Sequence, residues 1–152
     1  MPLTKKEQSL LKDLQNEEKT CAEKYQKAAE AACDPKLKQI FNQIGQAEQE
    51  HYDTVTQMLS GTVPEMKNKP QNQKYLHKED LKSSVCRAEK KSDAYLLADL
   101  LATEKFVSGV YNTAVFEFGD EKSRQTLSAI QQQEQHHGKE IADYMTANGM
   151  YC

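Results

Sequence analysis

The chain has 152 residues, room for one domain and too few for a second that folds independently. Charged residues make up 28 % and hydrophobic ones 38 %, with no Trp, six Gly and four Pro, which suits a helical protein and excludes a turn-rich β-sandwich. The net charge of −3 comes from interspersed acids and bases with no basic stripe to neutralise phosphates, so nucleic acid is excluded as a partner.

Apolar stretches such as Ala94 to Leu101, broken by Asp99, fall far short of the roughly 20 residues of a membrane helix, so no membrane span is expected. The start, Met-Pro-Leu-Thr-Lys-Lys-Glu-Gln, has no apolar export signal, and the protein is expected to stay where it is made. Cys21, Cys33, Cys86 and Cys152 include no C-x-x-C pair, so reduced thiols are expected rather than an iron knuckle or zinc ribbon.

Helix signals divide the chain into four long segments. Thr4 with Glu7 is a capping-box signature opening a helix that runs to about Cys33; Asp34-Pro35 then offers an N-cap and a Pro at the first helical position. The second helix ends near Gly61. A stretch with Pro64, Pro70 and many Asn, Gln and Lys reads as a linker, and the third helix is expected from about Glu79 to Phe118. Gly119 can take the position after its C-cap, and Asp120 can cap a fourth helix ending at Gly149. One domain over 1–152 is thus expected, with a first hairpin at about 4–60, a linker at about 61–78 and a second hairpin at about 79–149. An 18-residue linker reaches about 59 Å extended, against about 40 Å for a 26-residue helix. A full crossover is possible, and parallel and antiparallel hairpins stay open.

Each helix carries an inward seam at 3-4 spacing with an acid in its middle. The first has Leu11, Leu14, Glu18, Cys21, Tyr25, Ala28 and Ala32; the second Leu37, Phe41, Ile44, Glu48, His51, Val55 and Met58. The third has Leu97, Leu100, Glu104, Val107, Tyr111, Ala114 and Phe118; the fourth Leu127, Ile130, Glu134, His137, Ile141 and Tyr144. Leu96, Leu101 and Phe106 lie off the third seam and hint at a second buried face. Adding 86 to a residue number pairs Leu11, Leu14, Glu18, Tyr25, Ala28, Asp34, Ile44, Glu48 and His51, among others, with identical residues. The second hairpin is a copy of the first, and a pseudo-two-fold bundle is expected.

A Glu in a core costs several kcal/mol if ionised and unpaired, and here there are four. Glu18 lies 16 residues before Asp34 and Glu48 lies 14 after it, so both sit at nearly one height; Glu104 and Glu134 repeat this around Asp120. His51 and His137 follow Glu48 and Glu134 by three residues, on the same helix face. Glu17 rivals Glu18, but its repeat partner is Thr103, which favours Glu18. One Glu from each of two helices and a Glu-x-x-His from each of the others resembles the ligand set of ferritin-like di-iron and di-manganese carboxylate bundles. Four carboxylates and two divalent ions sum to zero charge. Oxygen-rich donors with two imidazoles suit iron or manganese over zinc or copper, which makes redox chemistry with O2 or peroxide the expected activity. Tyr25 and Tyr111, two turns beyond Glu18 and Glu104, are candidate hydrogen-bond donors to the ligands or redox-active phenols. Cys21 reads as a small core residue, His136 and His77 as solvated, and Tyr151-Cys152 as a free tail with a cross-linking thiol as the alternative.

The words Asp99-Leu-Leu-Ala-Thr-Glu-Lys105, Tyr111-Asn-Thr-Ala114, Arg124-Gln-Thr-Leu127 and Asn148-Gly-Met-Tyr151 resemble the coat F domain of spore coat proteins from endospore-forming bacteria. The resemblance covers about 96–151, and the first half as a diverged copy; Met150 stands where family members usually carry Trp. It implies an all-α, ferritin-like four-helix bundle made of two antiparallel hairpins and associated with sporulation, made in the mother cell and placed at the spore coat beside other coat proteins. The ligand motif also resembles the bundle domain of rubrerythrins, which implies two Fe or Mn ions per chain, with Glu48 and Glu134 bridging. Glu18 and Glu104 would then be terminal carboxylates and the histidines nitrogen ligands. Without a fifth helix, storage in a large shell is not expected. A homodimer is an open expectation.

Overall fold

The protein is described here by a computed structural model over residues 2–66 and 78–151. Thr4 caps α1 (Lys5–Ala31) as expected: its side chain accepts from the Glu7 backbone N–H while Glu7 reaches back to Thr4. Ala32 turns extended and ends the helix; Asp34 then caps α2 (Pro35–Leu59), which closes at Ser60 with Gly61 at φ +95°.

The third helix starts later than expected. Lys78–Leu81 form one 3-10 turn, and α3 covers Arg87–Glu117. The segment between is drawn onto the end of α4 (Glu121–Ala147): Asn148 accepts from the Ser83 N–H at 2.7 Å and donates to the Leu81 carbonyl at 2.8 Å, and Leu81 is buried. Cys86 at the N-cap makes no capping bond, so α3 begins without the usual sequence signal. At its other end Phe118 turns extended, as Ala32 does in the first hairpin, and Gly119 does not enter the left-handed region. Asp120 caps α4 through the Ser123 N–H.

Contacts between hairpins give the topology that spacing left open. Lys6 pairs with Glu117, Lys24 with Asp99, and Asp93 accepts from the Cys33 and Asp34 N–H groups, so α1 and α3 are antiparallel. On the other side Asp34 meets Tyr144, Glu48 meets His137, and Thr126 donates to the Pro64 carbonyl, so α2 and α4 are antiparallel too. Pro64 therefore lies near the start of α4 and Leu81 near its end, about 33 Å apart along 22 helical residues. Pro64 and Leu81 thus stand at opposite ends of the molecule, and four helices with no strand among the described residues form the expected bundle.

Every seam residue is buried. They form two apolar clusters, one around Tyr25, Phe41, Leu97 and Tyr144, the other around Leu11, Met58, Tyr111 and Leu127. Each cluster draws on all four helices. Gly45 permits close approach in the first, since a Cβ there would stand 3.1 Å from that of Tyr25. The hint of a second buried face on α3 divides: Leu101 is buried and Leu96 packs partly against the first cluster, whereas Phe106 is 61 % exposed. Tyr95 and Phe116 are exposed on the same helix. No helix among the described residues is long and apolar enough to cross a membrane.

Candidate metal centre

Between the two apolar clusters lies a polar layer: Glu18, Glu48, His51, Glu104, Glu134 and His137, all buried. The 3-4 seam brings each acid inward, and Glu-x-x-His sets each imidazole one turn from its own carboxylate. Four-residue groups gather on two sides. Glu18, Glu48, His51 and Glu134 offer ligand atoms within 4.8 Å of one another, as do Glu48, Glu104, Glu134 and His137. Glu48 and Glu134 belong to both groups. Glu17 is only half-buried, so the choice of Glu18 on repeat grounds agrees with its burial.

The layer repeats across the pseudo-two-fold. His51 Nδ1 stands 2.8 Å from Glu134 and His137 Nδ1 2.9 Å from Glu48, with the imidazole rings stacked at 6.0 Å. Tyr25 donates to Glu104 at 2.5 Å and Tyr111 to Glu18 at 2.6 Å, so each tyrosine serves the acid of the opposite hairpin. One contact has no counterpart and was missed from the sequence: His51 Nε2 lies 2.6 Å from Gln133 Oε1. Gln133 precedes Glu134 on α4, but its repeat-related residue is Ala47, so neither the seam nor the repeat marks it.

Burial, reinforced by Glu48, pushes Glu18 well above the ordinary carboxylate range; burial and Glu134 do the same to Glu104. Burial also opposes the charge on Glu48 and Glu134. There, His137 and His51 outweigh it and hold Glu48 well below its usual value, while Glu104 and both histidines hold Glu134 below. Burial would depress the imidazoles, but Glu134 and Glu48 lift His51 to about 10 and His137 to about 9. The layer then holds two neutral acids, two carboxylates and two imidazoliums, a sum of zero. Burial raises both tyrosines, so their phenols stay protonated.

The donor set fits divalent ions. Glu18 Oε2, Glu104 Oε2 and both Glu134 oxygens are buried without a hydrogen bond; Glu134 Oε1 is near His51 but out of line for one. Orphaned buried carboxylate oxygens are costly unless something electropositive meets them, and oxygen-rich sites with imidazole suit such ions.

The remaining candidates fall outside the layer or the description. Cys21 is buried beside it, and burial, with the glutamates of the layer close by, raises its thiol well above the usual range, which fits a core residue. His136 is not solvated as expected: it is half-buried, with Nε2 3.2 Å from Glu140. Tyr151 is exposed beyond the end of α4, with the Lys105 ammonium 6.0 Å from its ring centre. Cys21, Cys33 and Cys86 are free thiols, whereas Cys152 and His77 lie outside the described residues.

Compared with known families, residues 92–151 match the Coat F domain and residues 4–59 match Rubrerythrin, one family for each hairpin. No curated protein and no solved structure matches the chain.

Proposed function

We propose that the chain is a sporulation-associated dinuclear metalloprotein of the ferritin-like superfamily, a reading supported by the rubrerythrin match in its first hairpin and the coat F match in its second. Glu18 and His51 would hold one Fe or Mn ion, Glu104 and His137 the other, and Glu48 and Glu134 would be shared between them. The supporting observation is the set of hydrogen-bond-free carboxylate oxygens inside two overlapping four-residue groups. Two ferrous ions held by these residues would supply the two electrons that, with two protons, take hydrogen peroxide to two waters. The apolar clusters above and below keep bulk water out. Tyr25 and Tyr111 hold protons at Oη beside Glu104 and Glu18.

Metal content per chain tests this after anaerobic loading with Fe(II) or Mn(II) and desalting. About two ions are expected in the parent and a clear loss in Glu104→Ala with helicity intact, followed by oxidation of two Fe(II) per added peroxide. No retained metal in the parent overturns the proposal.

A second reading, a coat component whose ions only brace the fold, draws on α3. Tyr95, Phe106 and Phe116 are 76 %, 61 % and 74 % exposed inside the coat F match, and their repeat-related residues are Ser9, Thr20 and Glu30. Exposed aromatics spaced along one helix, where the repeat-related helix carries polar residues, suit contact with other coat proteins. Ions retained by the parent without peroxide turnover, together with failed coat assembly of a Phe106→Glu, Phe116→Glu double variant, favour this reading.

A further inference from the structure

We propose that Gln133 is a positioning residue that makes the two ion positions unequal, the Glu18–His51 position retentive and the Glu104–His137 position exchangeable; this rests on the dinuclear reading above.

The geometry is specific. His51 is 1 % exposed and turns Nδ1 toward Glu18, Glu48 and Glu134 at 3.8, 3.4 and 2.8 Å. Its other nitrogen meets Gln133 Oε1 at 2.6 Å. An amide oxygen only accepts, so the contact keeps a proton on Nε2 and, in the neutral ring, leaves the Nδ1 lone pair facing the carboxylates. It also fixes the ring plane, so less rotational freedom is lost when Nδ1 engages an ion.

His137 faces the corresponding glutamates, its own-helix one farther off at 3.9 Å against 3.4 Å, but lacks this contact. Its Nδ1 faces Glu48, Glu104 and Glu134 at 2.9, 3.8 and 3.9 Å, yet the residue is 7 % exposed, and among the described residues no hydrogen bond fixes its outer nitrogen. The repeat puts Ala47 where Gln133 stands, and a methyl group neither accepts nor donates. The histidine to opposite glutamate and tyrosine to opposite glutamate distances match to within about 0.1 Å between the halves, while the histidine stands 3.4 Å from its own-helix glutamate at His51 and 3.9 Å at His137. Gln133 is the side-chain acceptor that one histidine's outer nitrogen has and the other's lacks among the described residues.

The test loads the full chain anaerobically with Fe(II), confirms the ion count, and follows release to excess bipyridine by stopped flow. The parent should release its two ions in two phases at least about tenfold apart, since losing such a supporting hydrogen bond costs about 10–100-fold in metal affinity. Gln133→Leu should speed the slow phase until it merges with the fast one. Gln133→Glu, which keeps an acceptor for Nε2–H, should preserve both phases, which a merely structural role of the side chain does not predict. Should Gln133→Leu lose helicity, Ala47→Gln takes its place by offering His137 the missing acceptor, and the fast phase should slow. Single-phase release from a parent holding two ions, Gln133→Leu releasing as the parent does, or an unchanged fast phase in Ala47→Gln overturns the proposal. A parent that binds no iron overturns instead the dinuclear reading beneath it, and the ion count separates the two failures.

Discussion

The two ends of the bundle are built from repeat-related residues and held in different ways. Where α1 turns into α2, the buried Asp93 of α3 accepts from the Cys33 and Asp34 N–H groups at 2.8 and 3.1 Å, and Tyr144 of α4 donates to Asp34 at 2.5 Å. One polar network thus joins all four helices. At the opposite end Glu7 stands in for Asp93, and its contact with the Gly119 N–H is stretched to 3.5 Å at an exposed site. Asp120 stands in for Asp34 but bonds only to Ser123 in its own helix, since the position of Tyr144 is filled by Met58, which has no proton to give. A charge-assisted bond in a buried site is stronger than its exposed equivalent, so one end is tied across the bundle and the other only along the chain.

The largest effect separates both ends from the polar layer between them. In metal-free protein His51 and His137 have folded-state values of about 10 and 9 against an ordinary 6.5, so the stability they contribute is complete below about 6.5 and lost as pH climbs through 9 to 10. Glu18 and Glu104, kept protonated by folding, slope the same way, while Glu48 and Glu134 are ionised in both states over that range. Thermal scans in chelator should therefore show Tm falling from pH 7 to 10, and a flat Tm would remove the layer from this account. Next in size, Asp93→Ala should cost about 3 kcal/mol in urea unfolding and Glu7→Ala about 1 kcal/mol; equal losses would break the contrast between the ends. Tyr144→Phe strands a buried Asp34 oxygen and should cost about 2 kcal/mol. Its repeat-related test, Met58→Leu, should cost less than about 1.5 kcal/mol because it removes no hydrogen bond.

The polar layer was legible because two periodicities agree on it. The 3-4 seam turns Glu18, Glu48, Glu104 and Glu134 inward, and the offset of 86 repeats them, so no chance placement had to be weighed alone. The tie at Asp93 was not legible, because it sits among Glu89, Lys90, Lys91 and Ser92, where an acid reads as solvent-facing, and its partners are backbone groups 60 and 59 residues away. The start of α3 was misplaced for a related reason: Asn148, far along the chain, holds residues 81–83 out of the helix, and Cys86 offers no capping oxygen. Gln133 escaped because it acts across helices from a position where the repeat has diverged.

Both apolar clusters take residues from both hairpins, and this bears on how such a molecule can vary. One hairpin alone would keep only half of each core and would need a twin to fold against. If that twin were an identical separate chain, every substitution would appear twice, once on each side of the two-fold. The covalent connection removes that constraint: residue 133 can be Gln while residue 47 stays Ala, and α3 can turn three aromatic rings outward while α1 keeps Ser, Thr and Glu.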